Sequence, residues 1–142
     1  MAKLYTYITR EQLAKMMVVY MSNVLWREPV VNKKANYRDV SVKKRWKEFY
    51  DYIQLAYQYQ IMGVNAKWDP IKNFNPTGKV TRAEFATVLS RVLYWSKYNQ
   101  NWANYYEKHI EALKNAWILK NTNPKLTEYR WYIMLMLMRS SK

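Results

Sequence analysis

The stretch VTRAEFATVLSRVL, Val80 to Leu93, decides the fold class. Thr81 followed three residues later by Glu84 is a capping box, in which hydroxyl and carboxylate satisfy amides that the first helical turn leaves open. Phe85, Val88, Leu89 and Val92 then recur at helical spacing, so one stripe of this segment turns inward. The same grammar opens ITREQLAKMM, Ile8 to Met17. There Thr9 caps and Gln12 reaches back, and Leu13, Met16, Met17, Tyr20 and Val24 carry an apolar stripe to about Leu25.

Working outward, a helix is predicted over Val42 to Ile61, with Phe49, Ile53, Ala56, Tyr57 and Gln60/Ile61 on one face. Lys43, Lys44, Arg45 and Lys47 read as its solvated side. Gly63, Pro70, Asn73, Pro76 and Gly78 mark a long loop after it. A fourth helix is predicted over Ala103 to Leu119, with Tyr106, Ile110, Leu113 and Trp117 in register, and His109 as a surface or boundary residue. A fifth, from Thr127 to Arg139, is apolar nearly all round, the pattern of a buried helix. No strand-like alternation competes, so the chain is all-α. The order is repetitive: helices two and three form one helix–loop–helix unit and helices four and five another, with Asn75-Pro76 matching Asn123-Pro124. Helix one stands as the second half of a unit whose first half is missing.

The 142 residues suit one compact core, and half of them are hydrophobic. There is no cysteine, which excludes thiolate metal sites, thiol nucleophiles and disulfides. The single histidine has no ligating neighbours, and no nucleophile elbow, Walker loop or dinucleotide fingerprint occurs, so neither enzyme chemistry nor a metal or cofactor is expected. Lys and Arg number 24 against 10 Asp and Glu, a net charge of +14 that draws the chain to polyanions. The longest apolar run, Trp131 to Met138, has 8 residues, against the roughly 20 of a transmembrane helix. The opening MAKLYTYITREQ lacks a signal-peptide core, so an exported chain of this kind is read as a fragment.

The capped segments resemble the S-layer homology (SLH) family. Asn-Pro followed by VTRAEFATVLSRVL is similar to the second half of an SLH repeat, and ITREQLAKMM to the same motif in a preceding one. YRDV (Tyr37 to Val40) resembles the opening of a repeat, and EKHIEALKNAWIL (Glu107 to Leu119) its first helix. The resemblance implies three repeats packed as a pseudo-threefold helical bundle: residues 1–30 as the end of a first repeat, 37–95 as a complete one, and 100–142 as a shorter, degenerate one. It further implies a non-catalytic module of the cell envelope or extracellular surface. Grooves between repeats would hold an anionic, pyruvylated-type wall polysaccharide. Arg10 and Arg82 match the motif arginine that faces the acidic ligand, and Asp39 the acidic residue near the start of the first helix. Trp46 is a candidate stacking platform for a sugar ring. Partners expected with this reading are the polysaccharide, the rest of a longer surface protein, and a second copy completing the first repeat. No specific nucleic acid is expected; nonspecific nucleic-acid binding and a purely structural or oligomerising role are the alternatives.

The third repeat departs from the pattern. Thr127-Glu128-Tyr129-Arg130 stands where the second has Thr-Arg-Ala-Glu, so the motif arginine and the capping box are both read as lost there. Tryptophan also stands where SLH repeats usually carry glycine, at Trp26, Trp68, Trp95 and Trp117. Only 2 glycines occur, against about 10 at average usage of roughly 7%. The expectation is that some of these tryptophans are glycine codons read with the wrong genetic code, the alternative being a genuinely tryptophan-rich surface.

Overall fold

The computed structural model describes residues 6–43, 46–100 and 103–141. Five α-helices carry the fold: α1 (Arg10–Val19), α2 (Lys47–Gln58), α3 (Arg82–Tyr94), α4 (Glu107–Asn115) and α5 (Arg130–Ser140). Among the described residues there is no strand, only isolated antiparallel bridges at Tyr7–Tyr129, Val64–Pro70 and Thr81–Thr127. The protein is all-α, as the periodicity predicts.

Two compact units divide the chain. The first, Thr9–Gly78, packs α1 against α2 around Leu13, Met17, Met21, Ile53, Ile61 and Phe74, all essentially inaccessible. The capping box at Thr9 forms, with the Thr9 amide donating to Gln12 Oε1 at 3.0 Å and the Gln12 amide to Thr9 Oγ1 at 3.4 Å. Past Val19 the helix widens into a π-helical turn, Tyr20–Val24, where the Ser22 hydroxyl bonds back to the Val18 carbonyl at 3.0 Å. The α2 helix begins at Lys47 rather than Val42: Val42 and Lys43 lie in a turn, and Trp46, with φ −58° and ψ 142°, is its uncapped N-cap. Lys43 of the basic run therefore precedes the helix, while Lys44 and Arg45 lie outside the described residues.

The second unit comprises residues 1–8 and 79–142 and packs α3 against α4. The Thr81–Glu84 capping box forms, and Phe85, Val88, Leu89 and Val92 are buried as their spacing predicts. The α4 helix is shorter than expected at both ends, because residues 103–106 form a turn and Trp117 has a positive φ of 62°. His109, expected at the surface or its boundary, is only 1% exposed. The α5 helix departs the other way. Ile133 and Met136 are buried, but Trp131, Met134 and Met138 are exposed, so its all-round apolarity does not translate into all-round burial.

Candidate functional site

Three helices begin alike. Arg10, Arg82 and Arg130 are each the first helical residue, after the extended N-caps Thr9, Thr81 and Tyr129. An arginine therefore leads the third helix as well, two residues after Glu128, where the motif position was read. What is lost is the cap, since Tyr129 makes no side-chain capping bond.

The backbone repeats the same pattern. The Arg10 amide donates to Gly78 O at 2.9 Å, the Arg82 amide to Leu126 O at 2.7 Å, and the Arg130 amide to Thr6 O at 3.1 Å. Each acceptor lies four residues before one of the three arginines. The next amides follow suit, Glu11 donating to Pro76 O at 2.9 Å and Ala83 to Pro124 O at 3.1 Å. The two Asn-Pro turns therefore do equivalent work, answering helix-start amides that no intrahelical carbonyl can reach.

The arginine side chains differ. Arg82 is 5% exposed and Glu128 is fully buried. Arg82 Nε donates to Glu128 Oε1 and Oε2 at 3.0 and 3.1 Å, and Nη2 to Oε1 at 2.6 Å. Its Nη1 donates to the Asn121 carbonyl at 2.8 Å, and the guanidinium lies 4.3 Å over the Tyr132 ring. Arg10 is half-buried; its Nε donates to the Phe74 carbonyl at 2.7 Å, and the guanidinium sits 5.1 Å over the Phe74 ring. Arg130 Nε is buried and has no hydrogen-bond partner among the described residues. A buried donor in that state costs roughly 1–3 kcal/mol, and its charge sits where the α5 dipole also favours an anion.

Beside the start of α5, Tyr7 and Tyr129 stack at 4.7 Å with 21° between their planes, and Lys79 Nζ lies 4.8 Å over Tyr7. Asp39 is half-buried and accepts the Phe74 and Asn75 amides at 2.9 and 2.7 Å, clamping the turn at Asn75-Pro76. Trp46 is 79% exposed. His109 Nδ1 lies 2.8 Å from Ser90 Oγ; burial, and then the Arg91 charge, hold its pKa down at about 4.

The residue that sequence reasoning missed is Glu128. Its signal is positional: Ile8 and Val80, just ahead of the other two N-caps, are fully buried apolar residues. A carboxylate in that register demands a buried cation, and Arg82 supplies it. Among the described residues no three acidic or imidazole groups gather to hold a metal, and no helix is long and apolar enough to cross a membrane.

The geometry defines an all-α helix–loop–helix module built around arginine-led helices, two of them capped. Residues 42–86 match the family model of the S-layer homology domain, from the turn before α2 into the first turns of α3. This segment is thus similar to an SLH domain, and the match supports surface anchoring at the cell envelope in general. No curated protein and no solved structure matches the chain.

Proposed function

We propose that the chain anchors a larger protein to an anionic polysaccharide of the cell wall, and that Arg130 is the leading contact for the acidic group. The observation that carries this reading is the contrast among three equivalent arginines. Arg82 is saturated by Glu128 and the Asn121 carbonyl, whereas Arg130 Nε is buried without a partner among the described residues. An arginine fork makes charge-assisted paired bonds to a carboxylate, such as that of a pyruvyl ketal. A ligand reaching Arg82 has to compete with Glu128 for the same fork. In this reading Arg82 and Asp39 hold the helix starts and turns in place, Arg10 is a secondary ligand contact, and exposed Trp46 offers a face to a sugar ring. The reading of the chain as repeats is supported by the three equivalent amide-to-carbonyl bonds at Arg10, Arg82 and Arg130.

Co-sedimentation with purified wall sacculi tests the proposal, before and after extraction of the acidic polymer. Pelleting that requires the polymer supports anchoring. Pelleting that survives extraction, or none at all, contradicts it. A net charge of +14 predicts salt-sensitive binding to any polyanion, nucleic acid included, so the assay is run at fixed, moderate ionic strength.

A further inference from the structure

Six residues other than glycine have a positive φ among the described residues, and four of them are tryptophans: Trp26 (55°), Trp68 (69°), Trp95 (58°) and Trp117 (62°). Left-handed backbone is uncommon for any residue with a Cβ, and bulky side chains are the poorest fit. Each of the four occupies a different place where glycine is the ordinary solution.

Trp117 follows the α4 C-cap, Ala116. The Trp117 amide donates to Lys114 O at 3.0 Å and the Ile118 amide to Leu113 O at 3.0 Å. These are the two bonds of a Schellman motif, whose left-handed residue is usually glycine. Trp26 follows the cap of the π-helical turn, Leu25, and the Arg27 amide closes back to Met21 O at 2.9 Å. Trp68 ends a turn in which its amide donates to Asn65 O at 3.1 Å, while the Asn65 amide donates to Asp69 O at 2.9 Å. That is a three-residue connection closed by a left-handed bulge residue, again a glycine position. Trp95 caps α3 with φ 58° and ψ −129°, a combination in the mirror image of the β region that glycine alone enters freely.

The other two positive-φ residues have local explanations. Gln60 bonds its side-chain amide to the Tyr57 carbonyl at 2.8 Å, and asparagine, as at Asn75, tolerates this region. Trp46 has a negative φ of −58° and Trp131 lies inside α5, so the backbone singles out four tryptophans and spares these two. At positions 26 and 117 the indoles supply no compensating packing, being 84% and 86% exposed.

We infer that Trp26, Trp68, Trp95 and Trp117 are glycines in the natural protein, encoded by UGA in an organism that reads UGA as glycine. The inference goes beyond the anchoring role and does not depend on it. It has a consequence for the surface: the large exposed indoles at 26 and 117 are not sugar platforms, and aromatic contact with a ligand falls to residues such as the Tyr7–Tyr129 pair.

The test is the codon at each position, with the masses of the corresponding peptides from protein made in its own host. UGA at all four, with peptides carrying glycine and UGG at Trp131, is the expected result. UGG at any of the four overturns the inference for that residue, and UGA with a tryptophan-mass peptide overturns the reassignment. A recombinant chain with all four changed to glycine checks the backbone argument separately. Its urea midpoint is expected to rise above that of the tryptophan chain; an equal or lower midpoint contradicts the assignment of strain.

Discussion

Glu128 takes the place that Ile8 and Val80 hold ahead of the other arginine-led helices, and a carboxylate buried there must be met by a cation. Removing one partner of such a pair leaves an uncompensated charge and costs roughly 3–5 kcal/mol. Glu128→Leu is therefore expected to lower unfolding stability by that order in urea titration, and Arg82→Met combined with it to recover most of the loss. His109 makes a second prediction. Its pKa of about 4 lies below the ordinary 6.5, so the unfolded chain binds the proton more readily. This residue's contribution to stability is complete above pH 6.5 and is lost as the pH falls toward 4. Urea midpoints measured across that window are expected to fall in the parent and to flatten in His109→Asn. Trp117→Gly, by relieving a left-handed residue in a Schellman cap, is expected to raise stability by about 1 kcal/mol.

Helix starts were more legible than helix ends. Thr9/Gln12 and Thr81/Glu84 announce α1 and α3 within a residue, because a capping box is a local device whose partners are three positions apart. Thr81→Ala is expected to cost about 1 kcal/mol, read as a lower thermal or urea midpoint with the same arginine chemistry retained. Where no cap exists the boundary drifts: α2 starts five residues later than its periodicity suggests, because Trp46 is extended and uncapped. The end of α4 was overrun because tryptophan carries no stop signal, although its backbone turns left-handed at Trp117. Apolar patterning also could not tell which faces of α5 find a neighbour, since that is a tertiary matter; Ile133 and Met136 do, while Met134 and Met138 do not. Of the candidate site, the arginines at 10 and 82 were visible as motif positions. That Arg82 is spoken for depends on Glu128, which lies 46 residues from it in sequence, and that Arg130 begins a helix goes unmarked because Tyr129 makes no capping bond.

For the whole molecule the excess of cationic side chains sets two regimes. At low ionic strength a chain with net charge +14 binds any polyanion, and such binding falls steeply as salt rises. An anchoring site must add something that charge alone does not give: dependence on one arginine at an ionic strength where diffuse attraction is screened. The most direct measurement is calorimetric titration of the chain with purified acidic wall polysaccharide at moderate salt, comparing the parent with Arg130→Gln and with a control that removes one exposed lysine, Lys125→Gln. The account predicts measurable affinity for the parent, a loss of tenfold or more for Arg130→Gln, and little change for the control. Equal, salt-sensitive binding by all three chains would contradict it and leave net charge as the whole explanation.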